Sequence, residues 1–295
     1  MKGKDAQKPV APVIAVLNMK GGVGKTTISA NVMRMLYLRF GKAGLLIDFD
    51  PQFNLTQAVV ESAQYEKLKA AKRTILSVME SEPHTSLFTV KAGSEPAPAS
   101  EDVTVILRRR PKYDLRLVPG DFDLVKYSMI EEAAVLAPVR QRFKEFVSRA
   151  QTEFGFVSID CNPSSSFMTR CALEAATHVL VPVRPDRFSV LGLELLYKFV
   201  QESLPTVSKS LKFIVLLNGI PRTKYDPTVE NVLRSHPVFG PKTLSTPLYF
   251  SGDLSASPNQ IGFFNERKKH SHSSKVRNNV DAVVLELGKE LGWSV

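Results

Sequence analysis

Apolar positions along the chain fall into two kinds of segment. Short continuous runs occur at Val13-Ile14-Ala15-Val16-Leu17, Ala43-Gly44-Leu45-Leu46-Ile47, Phe154-Gly155-Phe156-Val157-Ser158-Ile159, His178-Val179-Leu180-Val181-Pro182-Val183 and Phe213-Ile214-Val215-Leu216-Leu217. Runs of strand length with no polar alternation are what a sheet covered on both faces requires. Between them, 28–40, 57–82, 122–150, 165–176, 189–203, 226–235 and 273–291 carry apolar residues at helical spacing. Leu115-Arg116-Leu117-Val118 reads as a further strand, Val103–Leu107 as a short one before Arg108-Arg109-Arg110, and 243–250 as a short β segment. Strands alternating with helices predict an α/β fold with a mostly parallel twisted sheet and helices on both faces.

The punctuation fixes the domain reading. Gly41 stands where a helix C-cap is expected. Pro83, Gly93 and Glu95-Pro96-Ala97-Pro98-Ala99-Ser100 break any regular element, so 83–101 is expected to be a mobile surface loop. Residues 1–11 read as a flexible basic tail, and 12–295 as one domain with no linker and no internal repeat. A chain of 295 residues can bury one large core.

Composition excludes several classes. No apolar run reaches the roughly eighteen residues that span a bilayer, so no stable membrane insertion is expected. The start is basic and lacks the apolar centre of an export signal. Cys161 and Cys171 are the only cysteines, at a spacing that is neither a redox nor a zinc pattern, which fits a cytoplasmic protein. His270 and His272 sit in a polar stretch and read as solvated side chains rather than a metal pair. Lysine and arginine number 39 against 29 acidic residues, a formal charge of +10. Such an excess suits a polyanionic partner, nucleic acid or an anionic surface, or is merely spread over solvent-facing positions.

The chemistry is concentrated after the first strand, in Asn18-Met19-Lys20-Gly21-Gly22-Val23-Gly24-Lys25-Thr26-Thr27. A strand, a glycine-rich turn and a helix form the context in which backbone N–H groups and a helix N-terminus hold phosphate. Lys25 is placed to neutralise the terminal phosphates and the Thr26 hydroxyl to ligate Mg²⁺. The common form of this loop has glycine where Met19 stands; here Lys20 precedes two glycines instead. Two other strands end in acids, Asp48 with Asp50 and Asp160, which is where open α/β sheets place their ligands. Asp160 is suited to the metal, and a carboxylate at Asp50 is suited to orienting water rather than to acting as a strong base.

These motifs resemble the ParA/MinD family of dimerising ATPases, the deviant branch of the phosphate-loop NTPases, and within it the ParA (Soj-like) partition ATPases. The resemblance runs from about 12 to 292. It includes Asp48-Phe49-Asp50-Pro51-Gln52-Phe53-Asn54-Leu55-Thr56, Asp160 to Leu173, Arg184-Pro185-Asp186-Arg187-Phe188-Ser189, Leu191-Gly192-Leu193 and Leu115, Val118, Pro119, Gly120. Asn162 departs from it, standing where many relatives have proline. By that resemblance ATP and Mg²⁺ bind at 20–27, 50 and 160, Asp50 positions the attacking water, Asp48 supports the metal side, and Lys20 reaches the partner subunit's nucleotide. Asn218 matches the asparagine that reads the adenine edge, and its amide has the donor and acceptor that task needs. As a strand-end asparagine it would simply serve the turn.

The same resemblance implies an ATP-dependent homodimer that binds DNA non-specifically and a ParB-like partner that stimulates hydrolysis, in a nucleoid-associated protein. Backbone neutralisation suffices for such binding. Arg222 and Lys224 lie where relatives carry a DNA-contacting arginine; Arg234, Lys242, Arg267, Lys268, Lys269, Lys275 and Arg277 would extend the patch. The rival readings are a MinD-like membrane-cycling ATPase or a ParA-like ATPase that positions a protein cargo. The membrane reading needs a basic amphipathic C-terminal helix, whereas Leu285–Val295 carries two acids and one base. The related iron-protein branch needs a cluster-bridging cysteine pair that Cys161 and Cys171 do not match.

Overall fold

The computed structural model describes residues 10–83, 86–93, 95–163, 167–254, 261–264, 266 and 273–294. Among the described residues eight strands form the sheet: β1 (Val13–Val16), β2 (Gly44–Phe49), β3 (Val105–Arg110), β4 (Tyr113–Val118), β5 (Phe156–Cys161), β6 (His178–Val183), β7 (Lys212–Ile220) and β8 (Leu248–Tyr249). Their spatial order is β3-β4-β2-β5-β1-β6-β7-β8. Every pairing is parallel except β3 with β4. The five apolar runs become β1, β2, β5, β6 and β7, and the first four are buried along their whole length.

The helices are α1 (Lys25–Phe40), α2 (Asn54–Val59), α3 (Ser62–Ala70), α4 (Ile75–Met79), α5 (Ser100–Val103), α6 (Ala133–Glu153), α7 (Phe167–Ala175), α8 (Arg187–Ser203), α9 (Pro205–Ser208), α10 (Thr228–Ser235) and α11 (Ser273–Glu290). They pack on both faces, so the core divides in two. One half gathers Phe143 and Phe146 of α6, Cys171 of α7 and Leu193 and Leu196 of α8 against alternate residues of the strands. The other gathers Met33, Leu36 and Tyr37 of α1 with Val280, Val283 and Leu287 of α11. The α/β expectation is met.

Several expected elements differ in detail. The apolar spacing over 57–82 predicts one helix, yet the chain folds it as α2, α3 and α4. The break after α3 is local: Lys72 takes a left-handed φ of 56°, and Arg73 N–H closes onto the Leu68 carbonyl at 2.8 Å. Arg73 then reaches the Thr104 carbonyl at 2.5 Å, tying this turn to α5. Over 122–150, Phe122–Ser128 is a 3-10 turn and only α6 is a true helix, with Pro138 inside it. Arg108-Arg109-Arg110 continues β3 instead of following it, and places charge along the sheet's edge strand, where it blunts edge-to-edge pairing.

The segment 83–101, expected to be a surface loop, is partly folded in. Ala92 and Ala97 are buried in the core. Arg142 of α6 donates to the Pro96 carbonyl at 2.7 Å and to the Glu95 carbonyl, and Arg149 donates to the Pro98 carbonyl at 2.9 Å. Beneath it lies a fully buried ion pair, Lys126 Nζ to Glu80 Oε1 at 3.0 Å, joined by the Tyr127 hydroxyl at 2.7 Å. Removing either charged partner would strand the other.

Register decides where the chemistry meets. Asp48 of β2 pairs with Asp160 of β5, and Val16 at the end of β1 pairs with Asp160 on the other side. The loops after β1, β2 and β5 therefore open at one edge of the sheet. That edge, outside the carboxyl ends of parallel strands, is where this architecture accommodates ligands.

Candidate phosphate-binding site

The loop between β1 and α1 is shaped by its glycines. Gly24 caps α1 with φ 92° and ψ 24°, a left-handed conformation, and a Cβ there would stand 2.3 Å from Asn218 Nδ2. At Gly21 and Gly22 a Cβ would meet nothing within 4 Å among the described residues. Among the described residues no side chain caps the start of α1. Its first N–H groups are thus directed at the opening, where they and the helix dipole favour an anion.

Lys25 is 7% exposed, and its Nζ donates to the Lys20 carbonyl at 3.2 Å. Burial pushes its pKa down, while the charges of Asp160 and Asp50 push it back up. A buried ammonium held by a main-chain carbonyl has spare donors for an incoming polyphosphate. Thr26 Oγ donates to Asp160 Oδ2 and Ser29 Oγ to Asp160 Oδ1, each at 2.8 Å. Burial raises the Asp160 pKa, and the two hydroxyl bonds draw it back. This hydroxyl and carboxylate, drawn together beside the phosphate loop, form the hard oxygen donor set that suits Mg²⁺. The residues present therefore fit that ion.

Asp50 is 8% exposed and lines the same opening as Lys25, Thr26 and Thr27. The opening is a cavity of about 940 Å³. Its wall continues through Gln52, Phe53, Thr56 and Tyr65. The Asp50 carboxylate accepts from Gln52 N–H at 2.9 Å, and burial raises its pKa above the ordinary carboxylate value. Asp48 stands beside Asp160 across the β2–β5 pairing. It is wholly buried and does not line the cavity; its Oδ2 accepts from the Thr56 N–H and hydroxyl, both at 2.7 Å. Burial and the neighbouring Asp160 charge raise its pKa. In this arrangement Asp48 clamps the start of α2 beneath the site.

Phe53, just before α2, takes φ 39° and ψ 39°. A bulky side chain in the left-handed region costs about 1–2 kcal/mol. Its ring stacks on Tyr65 at 5.1 Å and 14°, which offsets part of that cost.

Lys20 faces its own subunit. Its Nζ pairs with Asp186 Oδ1 at 2.7 Å, and Asp186 also caps α8 through the N–H and hydroxyl of Ser189 at 2.9 and 2.8 Å. Asn18 locks the loop to the same helix start. It donates to the carbonyls of Pro182 at 2.9 Å and Ser189 at 3.3 Å and accepts from Lys20 N–H at 2.9 Å. Asn18, Ser29 and Asp186 are thus site residues to which sequence reasoning gave no role. The i, i+4 spacing of Lys25 and Ser29, one helical turn apart, is the signal that could have found Ser29. Asn218 donates one N–H of Nδ2 to the Val23 carbonyl at 2.6 Å, so it supports the phosphate loop while its second N–H and its amide oxygen are left for a base.

The predicted basic patch separates into two kinds of cation. Arg222, Lys224, Lys275 and Arg277 are exposed, and the Arg222 guanidinium lies over the Tyr249 ring at 4.7 Å. Arg234 is instead spent within the fold. It bonds Glu230 at 2.7 Å and the carbonyls of Leu244 and Ser245 at 3.1 and 3.2 Å. Lys242 Nζ donates to the Val238 carbonyl at 3.0 Å. Arg267, Lys268, Lys269, His270 and His272 lie outside the described residues. Cys161 and Cys171 are buried, and burial raises both thiol pKa values, so neither is a reactive thiol. Among the described residues no helix is long and apolar enough to cross a membrane.

Comparison with known proteins agrees with this geometry. Residues 11–213 match the family described as AAA domain, AAA_31. The chromosome-partitioning ATPase Soj of Treponema pallidum is 29% identical over 252 residues, covering 83% of this chain and 85% of that protein. A cobyrinic acid a,c-diamide synthase of Mycobacterium smegmatis, solved with ADP and magnesium, superposes with a TM-score of 0.66 at 20% identity. It covers 95% of this chain and 96% of its own. The structure of pNOB8 ParA bound to nonspecific DNA superposes with a TM-score of 0.61 at 20% identity, covering 96% and 99%. At such identities the superpositions speak for the fold. The chain belongs to the AAA_31 family of AAA-domain proteins and is an ATPase of the ParA/MinD type.

Proposed function

We propose that this ATPase binds ATP with Mg²⁺ on the 20–27 loop and acts as a partition ATPase. Its ATP-bound dimer would hold DNA without reading sequence, and a ParB-like partner would trigger hydrolysis. One observation carries the reading: a buried Lys25, Asp50 and Thr26, the last bonded to Asp160 behind it, line a single cavity. Backbone N–H groups of Gly21 to Thr27 would cradle the phosphates, and Lys25 would neutralise the terminal ones. Thr26 and Asp160 would hold Mg²⁺, which when bound spreads the phosphate charge. Asp50 would orient the water that attacks the γ-phosphorus as the bond to ADP breaks, a task of positioning more than of base strength.

Lys20 would serve a partner subunit's nucleotide, which requires its pairing with Asp186 to open. Both side chains are about one-third exposed, at 33% and 38%. An ion pair that exposed contributes no more than about 1 kcal/mol, so opening is cheap. The DNA-holding face would be built on the exposed cations Arg222, Lys224, Lys275 and Arg277; that such a face exists draws on the nonspecific DNA bound by a ParA of the same fold.

The test is Asp50→Ala, with nucleotide binding and phosphate release measured separately. Retained ATP affinity and ATP-driven dimerisation with turnover about a hundredfold lower is expected. Unchanged phosphate release would remove Asp50 from the reaction. Pelleting with anionic liposomes but not with DNA would favour a membrane-cycling function instead.

A further inference from the structure

Phe53 is an aromatic residue held where glycine is normally found. Among the described residues only Phe53, Lys72 and Lys224 combine a side chain with positive φ. Lys72 and Lys224 lie in exposed turns away from the cavity; Phe53 lines it. A left-handed conformation at a bulky residue persists only where its surroundings over-determine it.

Those surroundings are specific. Phe53 N–H closes a turn onto the Asp50 carbonyl at 2.8 Å, and the Phe53 carbonyl accepts from Gln57 N–H at 3.0 Å to open α2. Its ring lies nearly parallel to Tyr65, whose hydroxyl donates to the Gly120 carbonyl at 3.3 Å. Gly120 in turn is pressed by this group: a Cβ there would stand 2.6 Å from Phe53 Cβ and 2.9 Å from Asp48 Cγ. Gly120 N–H donates to Thr56 Oγ at 2.8 Å, which bonds Asp48. The turn bearing Asp50 is therefore braced on one side by an aromatic stack and on the other by Asp48.

We infer that Phe53 is a positioning residue for Asp50: its stack on Tyr65 holds the Asp50–Phe53 turn in the left-handed form that aims the carboxylate into the phosphate cavity. Without the ring, a non-glycine residue at 53 relaxes toward negative φ. That rotation swings its carbonyl away from the Gln57 N–H or, where α2 keeps that bond, twists the Asp50–Phe53 turn, and the carboxylate loses its fixed direction. The inference rests on the proposed water-orienting role of Asp50.

Two substitutions separate the ring from the backbone requirement. Phe53→Ala keeps the cost of positive φ and loses the stack, whereas Phe53→Gly loses the stack but adopts positive φ freely. Phe53→Ala is expected to lower kcat about tenfold with the ATP dissociation constant within about twofold of the parent. Phe53→Gly is expected to recover most of that loss, to within about threefold. Amide hydrogen exchange over 50–57 in the nucleotide-free protein should quicken in Phe53→Ala and less so in Phe53→Gly. Parental kcat in Phe53→Ala, or a kcat loss matched by an equal loss of ATP affinity, would overturn the inference. So would a loss in Phe53→Gly as large as in Phe53→Ala. Asp50→Ala, run in parallel, tells the two readings apart. If it retains turnover, the role of Asp50 fails; if it does not and Phe53→Ala is parental, only the bracing role fails.

Discussion

The phosphate loop and the basic patch both consist of cations that the sequence offers to phosphate, and the fold treats them in opposite ways. Lys25 is buried, held by one main-chain carbonyl and faced by Asp160 and Asp50 across a cavity. The patch cations either stand in solvent, as Arg222, Lys224, Lys275 and Arg277 do, or are tied to the fold, Arg234 by its ion pair and two carbonyls and Lys242 by one carbonyl. Low dielectric strengthens each interaction at the first region, and water and salt weaken each at the second. One region depends on single residues; the other can act only as a sum.

The largest effect separating them should come from Lys25→Ala. Removing the buried ammonium of the site takes away the side chain that neutralises the terminal phosphates, and ATP affinity is expected to fall by about a hundredfold or more. Titration with a fluorescent nucleotide measures it directly. An unchanged dissociation constant would mean that the cavity does not receive phosphate through this loop, and the contrast between the regions would disappear.

On the patch, Arg222→Glu should act more weakly and through salt. DNA affinity is expected to fall about tenfold at low ionic strength, with the slope of log affinity against log salt shallower by about one. ATP affinity should be unmoved. Binding followed by anisotropy across a salt series checks both, and an unchanged slope would take Arg222 off the DNA-facing surface.

The two regions also differ in how much of each could be read in advance. Gly24, Lys25, Thr26 and Asp160 were legible because each is fixed by a requirement met within a few residues: a turn needing positive φ, a helix start, a strand ending in an acid. The sheet was legible for the same reason, since continuous apolar runs admit few alternatives to buried parallel strands. What escaped was non-local or conformational. Apolar spacing continues through 71–74, so one helix over 57–82 was the natural expectation, and only the left-handed turn at Lys72 breaks it. Nothing near Lys20 announces Asp186, which arrives from a distant strand end. Asp48 also holds Thr56 through one carboxylate oxygen, a bond that was not legible because that N–H and hydroxyl lie one turn into the following helix. Charge counting placed Arg234 with Arg222, because composition says nothing about carbonyls ten residues further on.

That last grouping gives the smallest and most discriminating effect. Arg234 bridges α10 to the 244–245 turn, so Arg234→Ala removes an i, i+4 ion pair and two bonds to main-chain carbonyls. Loss of those part-buried bonds should lower unfolding stability by about 1–2 kcal/mol. The guanidinium already has its partners, so DNA affinity should stay within about twofold of the parent. Denaturant unfolding and DNA anisotropy on the same protein give both numbers. A large loss of DNA affinity with unchanged stability would return Arg234 to the interface and show that its bonds to Leu244 and Ser245 give way when DNA arrives. The expected result, stability lost and binding kept, divides the patch by what each guanidinium already holds.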